Sequence, residues 1–140
     1  MADDLELARR IFDTAPFMRE LGVVPIEVNP GRVTTEMAIA PRHLQHSGVV
    51  HAGVMASMAD HTMGGAAQSL AGTERLVLTA ELKTSLLRSA SGERLVCHAW
   101  VLKHGRTLCF TEAEVYAERG GERSLVMKAS ATMAVTALRP

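Results

Sequence analysis

Beyond residue 72 the apolar residues change their period. Leu76, Leu78, Ala80, Leu82 and Leu86 alternate with Thr79, Glu81, Lys83 and Ser85. Leu95, Cys97, Ala99 and Val101 repeat the alternation. So do Thr107, Cys109, Thr111, Ala113 and Val115, and then Leu125, Met127, Ala129, Ala131, Met133 and Val135. A period of two over runs this long is the mark of half-buried strands. Ser91-Gly92, His104-Gly105 and Gly120-Gly121 punctuate them, which predicts four strands, each the hairpin partner of the next.

Upstream the period is helical. Val54, Met55, Met58, Ala59, Met63, Ala66, Ala67 and Leu70 recur at three- and four-residue intervals, predicting one long helix from Gly53 to Leu70 that Ala71-Gly72 ends. Two extended runs precede it, Val23 to Val28 and Arg32 to Ala40, joined by the turn signal Asn29-Pro30-Gly31. Leu5, Ala8, Ile11 and Phe12 mark an N-terminal helix, which Asp3 or Asp4 can cap and Pro16 interrupts. The whole chain, 1–140, therefore reads as a single α+β domain, a long helix laid across a curved antiparallel sheet of about six strands. One helix covers one face of such a sheet. The remaining apolar surface predicts a second copy, hence a homodimer or a homotetramer.

Composition removes several classes of function. Fifteen Lys and Arg balance fifteen Asp and Glu, so no overall field attracts nucleic acid or an anionic membrane. The start MADDLELARR is acidic and amphipathic, unlike a signal peptide, and no apolar run is long enough to span a bilayer. Cys97 and Cys109 form no CxxC and read as reduced core thiols, which with the preceding points predicts a cytoplasmic protein. GxSxG, P-loop and GxGxxG motifs are absent, so serine-hydrolase and nucleotide-binding chemistry have no foothold. His43, His46 and His51 cluster before the long helix, but their spacing fits no zinc template, and they read as loop and surface residues with no metal expected.

Within the long helix stands one carboxylate, Asp60, flanked a turn away by Ala56 and Gly64. Each mid-helix glycine costs about 1 kcal/mol relative to alanine, so this thinning of the helix surface predicts a groove along which a ligand or neighbouring chain approaches the acid. No Lys or Arg lies at i+4 to neutralise it. The alternative is a structural carboxylate satisfied by hydroxyls such as Thr62. At the start of the helix, Gly48 to Gly53 is glycine-rich, and the N–H of Ala52 or Gly53 lacks an intrahelical acceptor. An acid and an unpaired amide on one helix, facing one groove, point to acyl transfer or hydrolysis.

The pattern Gln45-x-x-Gly48-x-x-His51-Ala52-Gly53, followed by Asp60, resembles the hotdog-fold acyl-CoA thioesterases of the phenylacetate-degradation (PaaI-like) type. The resemblance runs from Val23 to Val135 and includes the turn Lys103-His104-Gly105-Arg106-Thr107. It implies an acyl-CoA substrate, with coenzyme A part of that substrate and no separate cofactor. Asp60 would attack the thioester carbon or activate water. The N–H of Ala52 would hold the oxyanion, Gln45 would bind the thioester carbonyl or position water, and His51 with Gly53 would shape the loop. Thr79 would reach the site from a partner subunit. Arg88, Ser89 and Lys103 to Thr107 would contact the nucleotide. Relatives show His-Gly-Gly where this chain has His51-Ala52-Gly53. The alanine is compatible with helical backbone angles, and that is the expectation.

Two other readings fit the same fold. A hydroxyacyl dehydratase would pair a histidine with an acid fourteen residues on, the spacing of His46 and Asp60, but the Pro-Gly run of those enzymes is missing. A non-catalytic acyl-CoA-binding protein would explain Ala52. Few aromatic residues are present (one Trp, one Tyr and three Phe), which favours aliphatic or undiscriminating acyl groups, while the methionines read mainly as core.

Overall fold

The computed structural model describes residues 2–138. In chain order it contains α1 (Ala2–Asp13), α2 (Pro16–Leu21), β1 (Val24–Asn29), β2 (Arg32–Ala38), a 3-10 turn (Pro41–His43), α3 (Ala52–Ala71), β3 (Arg75–Leu86), β4 (Arg94–His104), β5 (Leu108–Arg119) and β6 (Glu122–Ala137). The boundaries follow local chemistry. Pro16 occupies the first turn of α2, where its missing N–H is harmless, and Gly22 closes that helix at φ 84°. β2 stops at Ala38, two residues short of the sequence expectation, because the chain turns into the Pro41–His43 segment. No described helix is long and apolar enough to cross a membrane.

All six strands form one antiparallel sheet in the order β1-β2-β4-β5-β6-β3. This corrects the sequence reading at one connection. β3 and β4 are not hairpin partners: β3 pairs with β6, from Arg75↔Ala137 to Leu86↔Met127, whereas β4 lies between β2 and β5. Alternation identifies a strand but not its neighbour. Here α3 carries the chain across to the far edge, and residues 87–93 bring it back. That return passes tightly over the end of β5, where Glu93 N–H donates to the Glu118 carbonyl at 2.8 Å. Gly92 has φ 130°, and a Cβ there would run into the same carbonyl oxygen.

The sheet wraps α3. Met55, Met58, Ala59, Met63, Ala66 and Ala67 are buried against Val33, Met37, Leu95, Cys97, Val115 and Met127. Thr62 and Thr35 share a 2.8 Å hydrogen bond between helix and β2, and the neighbouring Cys97 thiol is pushed up to about 12 by burial. Both cysteines are free and buried. The outward face of β2, β4, β5 and β6 carries ion pairs among Glu36, Arg94, Glu118 and Arg123; exposed pairs of this kind add little stability.

α1 packs on a different side of α3. The buried Phe12 meets His61 edge to face, with ring centroids 4.8 Å apart, and His61 Nε2 lies 2.8 Å from the Ile11 carbonyl. Gly65 makes the approach possible, because a Cβ there would stand 3.0 Å from Phe12 Cε2. The adjacent Gly64 is different: a Cβ there meets no heavy atom within 4 Å. β3 is an edge strand, and Leu76, Leu78, Leu82 and Leu86 along it are exposed.

Two outcomes follow from this packing. With Phe12 fully buried and unable to give way, Gly65→Ala is expected to lower unfolding free energy in a denaturant titration by up to about 2 kcal/mol, the overpacking penalty less the roughly 1 kcal/mol that alanine gains in a helix. Burial also holds the His61 imidazole below its ordinary value of 6.5, against opposing contributions from the Ile11 carbonyl and Asp60. The unfolded chain therefore takes up a proton as pH falls below 6.5 before the folded one does, so the contribution of His61 is complete above that pH and lost beneath it. Melting temperature should fall on acidification, and His61→Gln should flatten the fall. His98, lowered mainly by burial and then by Arg123, leaves a residual slope of the same sign.

Candidate active site

The start of α3 is built by its preceding loop. Leu44 and Val50 form a β-bridge, Gln45 N–H donates to the Val49 carbonyl at 2.8 Å, and Gly48 turns the chain at φ 90°. His43 is fully buried rather than a surface residue; its ring accepts from Ala40 N–H at 2.9 Å and lies 2.7 Å from the Leu21 carbonyl. His51 caps the helix. Its Nδ1 accepts from Gly53 N–H at 2.8 Å, and its carbonyl accepts from Val54 N–H at 3.0 Å. The Ala52 N–H has no acceptor among the described residues. Of the two amides that the sequence left open, Gly53 is engaged and Ala52 is available. Among the described residues none other than glycine has positive φ, so alanine sits at position 52 without backbone strain.

Gln45 and Ala52 line one cavity of about 370 Å³ together with Met55, Leu87, Arg88 and Ser89. The Gln45 side-chain oxygen accepts from Ser47 N–H, which orients the amide. Arg88 donates to the Leu125 carbonyl at 2.7 Å.

Asp60 lies elsewhere. With His61, Gly64, Gln68, Thr79 and Met133 it lines a second cavity, of about 300 Å³, between α3 and β3. Thr79 Oγ1 donates to Asp60 Oδ1 at 2.6 Å and also lies 3.4 Å from Met133 Sδ. No donor among the described residues meets Oδ2. The half-buried carboxylate thus has one oxygen held and one open to the cavity.

Two expectations are corrected here. Thr79 reaches Asp60 within the same chain rather than from a partner. The acid and the free amide do not face one groove of one chain, since each lines its own cavity. The reason is helical geometry. Eight residues separate positions 52 and 60, a rise of roughly 12 Å and a rotation of about 80°. The proposed nucleotide contacts divide in the same way. Arg88 and Ser89 adjoin Ala52, whereas Lys103 and His104 end β4, Gly105, Arg106 and Thr107 form the turn into β5, and none of the five lines either cavity. His46, the rival base, is exposed and shares no cavity with Asp60.

Gln68 and Val77 are lining residues that the sequence reading did not name, and Ile11 entered it only as part of the apolar face of the N-terminal helix. The i+4 and i+8 spacing of Gly64 and Gln68 from Asp60 was a usable signal for Gln68; no local pattern sets Ile11 or Val77 beside the acid.

Comparison with known proteins gives a consistent result. Residues 47–124 match the family described as "Thioesterase superfamily". The structure superposes on that of a thioesterase family protein from Silicibacter pomeroyi with a TM-score of 0.94, at 36% identity, covering 96% of this chain and 99% of that one. A Caenorhabditis elegans protein named as an esterase is 32% identical over 103 residues, 73% of this chain; the chain spans only 60% of that relative's length. Acyl-coenzyme A thioesterase 13 of Homo sapiens is 29% identical over 114 residues, 79% of each protein.

Proposed function

We propose, from the premise that the chain belongs to the Thioesterase superfamily, that it hydrolyses an acyl-CoA thioester to a free acid and coenzyme A. The observation that carries the reading is the Thr79–Asp60 hydrogen bond of 2.6 Å at the wall of a cavity, which leaves one carboxylate oxygen turned to the space a substrate would fill. Asp60 acts there as general base. Its open oxygen takes a proton from water while the oxygen of that water bonds to the thioester carbon. The carbonyl oxygen becomes an oxyanion, which the unpaired Ala52 N–H at the positive end of α3 stabilises, with Gln45 beside it. The intermediate collapses by breaking the C–S bond, and the coenzyme A sulfur leaves as thiolate and takes up the proton held by Asp60. Direct attack by Asp60 on the carbonyl carbon would use the same groups, with water cleaving the resulting anhydride.

Since one chain holds these groups in separate cavities, a working site takes Asp60 and Thr79 from one copy and Gln45, His51, Ala52 and Gly53 from another. The exposed leucines of edge strand β3 support such a partner, because an uncovered apolar strand edge is a pairing surface. A twofold dimer then carries two equivalent sites and can pair again into a tetramer. Arg88 and Ser89, beside Ala52, and the basic 103–107 turn are the groups this reading offers to coenzyme A phosphates. The Gln45 to Asp60 pattern supports a PaaI-like type within that superfamily. Buried Cys97 and Cys109, outside any disulfide, fit a reducing compartment such as the cytoplasm.

Asp60→Asn should reduce thiol release from acyl-CoA by about 10²–10⁴-fold with an unchanged melting profile, the range for loss of a general base. Enoyl-thioester hydration without thiol release would instead favour the dehydratase reading. For the shared site, Asp60→Asn and Gln45→Ala proteins should each be weak alone, and co-expression should restore activity in the mixed dimer. Failure of mixed dimers to recover would mean that each chain works by itself.

A further inference from the structure

The cavity between α3 and β3 has two walls of matching length. On the helix, Asp60, Gly64 and Gln68 follow one another at one-turn intervals, roughly 12 Å in all. On the strand, the wall runs antiparallel from Thr79, bonded to Asp60, back to Leu76. Its inner end is closed rigidly: Gln68 is 3% exposed, and its amide nitrogen donates to the Gly72 carbonyl at 3.2 Å and the Arg75 carbonyl at 3.1 Å. The result is a groove that begins at the acid and ends at a fixed stop.

Gly64 stands midway along it. Its neighbour Gly65 is required by Phe12 of α1, but nothing in the chain occupies the space above Gly64. A helical glycine is less stable than an alanine where space is open, so the folded chain by itself would be more stable with a methyl group there. The space is kept for an occupant that arrives later.

We propose that Gly64 sets the acyl-length preference: the acyl tail runs from Asp60 past Gly64 towards Gln68, so that medium-length straight-chain acyl groups are accepted. This deepens the hydrolase reading and rests on it. An acetyl or butyryl group ends before position 64, about 6 Å from Asp60, whereas an octanoyl group must pass it. Ile11, Leu76, Leu78 and Met133 supply apolar contact along the way.

The test measures kcat/KM for thiol release from acetyl-, butyryl-, octanoyl- and dodecanoyl-CoA with wild type, Gly64→Ala and Gly64→Leu, together with melting temperature and solution mass. The octanoyl-to-butyryl ratio should fall about tenfold or more in Gly64→Leu, the scale on which a crowded pocket discriminates. Gly64→Ala should lie between and melt higher than wild type. An unchanged ratio, an equal loss at every length, or a change of oligomeric mass in place of a change in ratio would overturn the proposal. Absence of thiol release by wild type on all four thioesters would overturn the hydrolase reading itself, and the length preference with it.

Discussion

α3 is enclosed by the sheet on one side and by α1 on another, and along a third it borders open space. Holding one helix in this way is the constraint that the rest of the molecule depends on. Its glycines, Gly53, Gly64 and Gly65, weaken its own propensity, and most helical stability in proteins comes from packing of the buried face. Its stability comes from the buried Met and Ala face and from the Thr62–Thr35 bond to β2. Two adjacent glycines then serve opposite ends. Gly65 admits Phe12 and fixes α1, whereas Gly64 admits nothing that belongs to the chain.

A rigid helix is a good carrier for reacting groups because it fixes their separation. Here that rigidity also forbids the simplest site. Ala52 and Asp60 are too far apart along the axis, and too far rotated around it, to act on one carbonyl within one chain. The fold places the open amide at one cavity and the Thr79-bound carboxylate at another. Both open to the exterior near the exposed edge of β3. In the shared-site proposal, a twofold axis pairing two such edges would return each group to the other's counterpart.

α1 contributes more than added burial. Through Ile11 it forms part of the wall beside Asp60, and through His61 it is tied to the residue next to the acid. The N-terminal helix and the candidate site therefore share a boundary, and changes in the packing of one alter the shape of the other.

Much of this was legible in the chain itself. The 3.6-residue period of α3, the alternation of β3 to β6, the Asn29-Pro30-Gly31 turn and the isolation of Asp60 in an apolar helix are local patterns, and local patterns report backbone periodicity and side-chain chemistry. The resemblance carried by Gln45, His51 and Asp60 named the family for the same reason, since it is a matter of residue types at fixed spacing. What the tertiary structure decided was adjacency. That β3 pairs with β6 and not β4, that Thr79 meets Asp60 in its own chain, that His43 is buried, and that Gly64 and Gly65 face space and a phenyl ring respectively are long-range facts. Strand order and cavity shape depend on which surfaces close against each other once the chain collapses, and alternation is the same whichever neighbour a strand acquires.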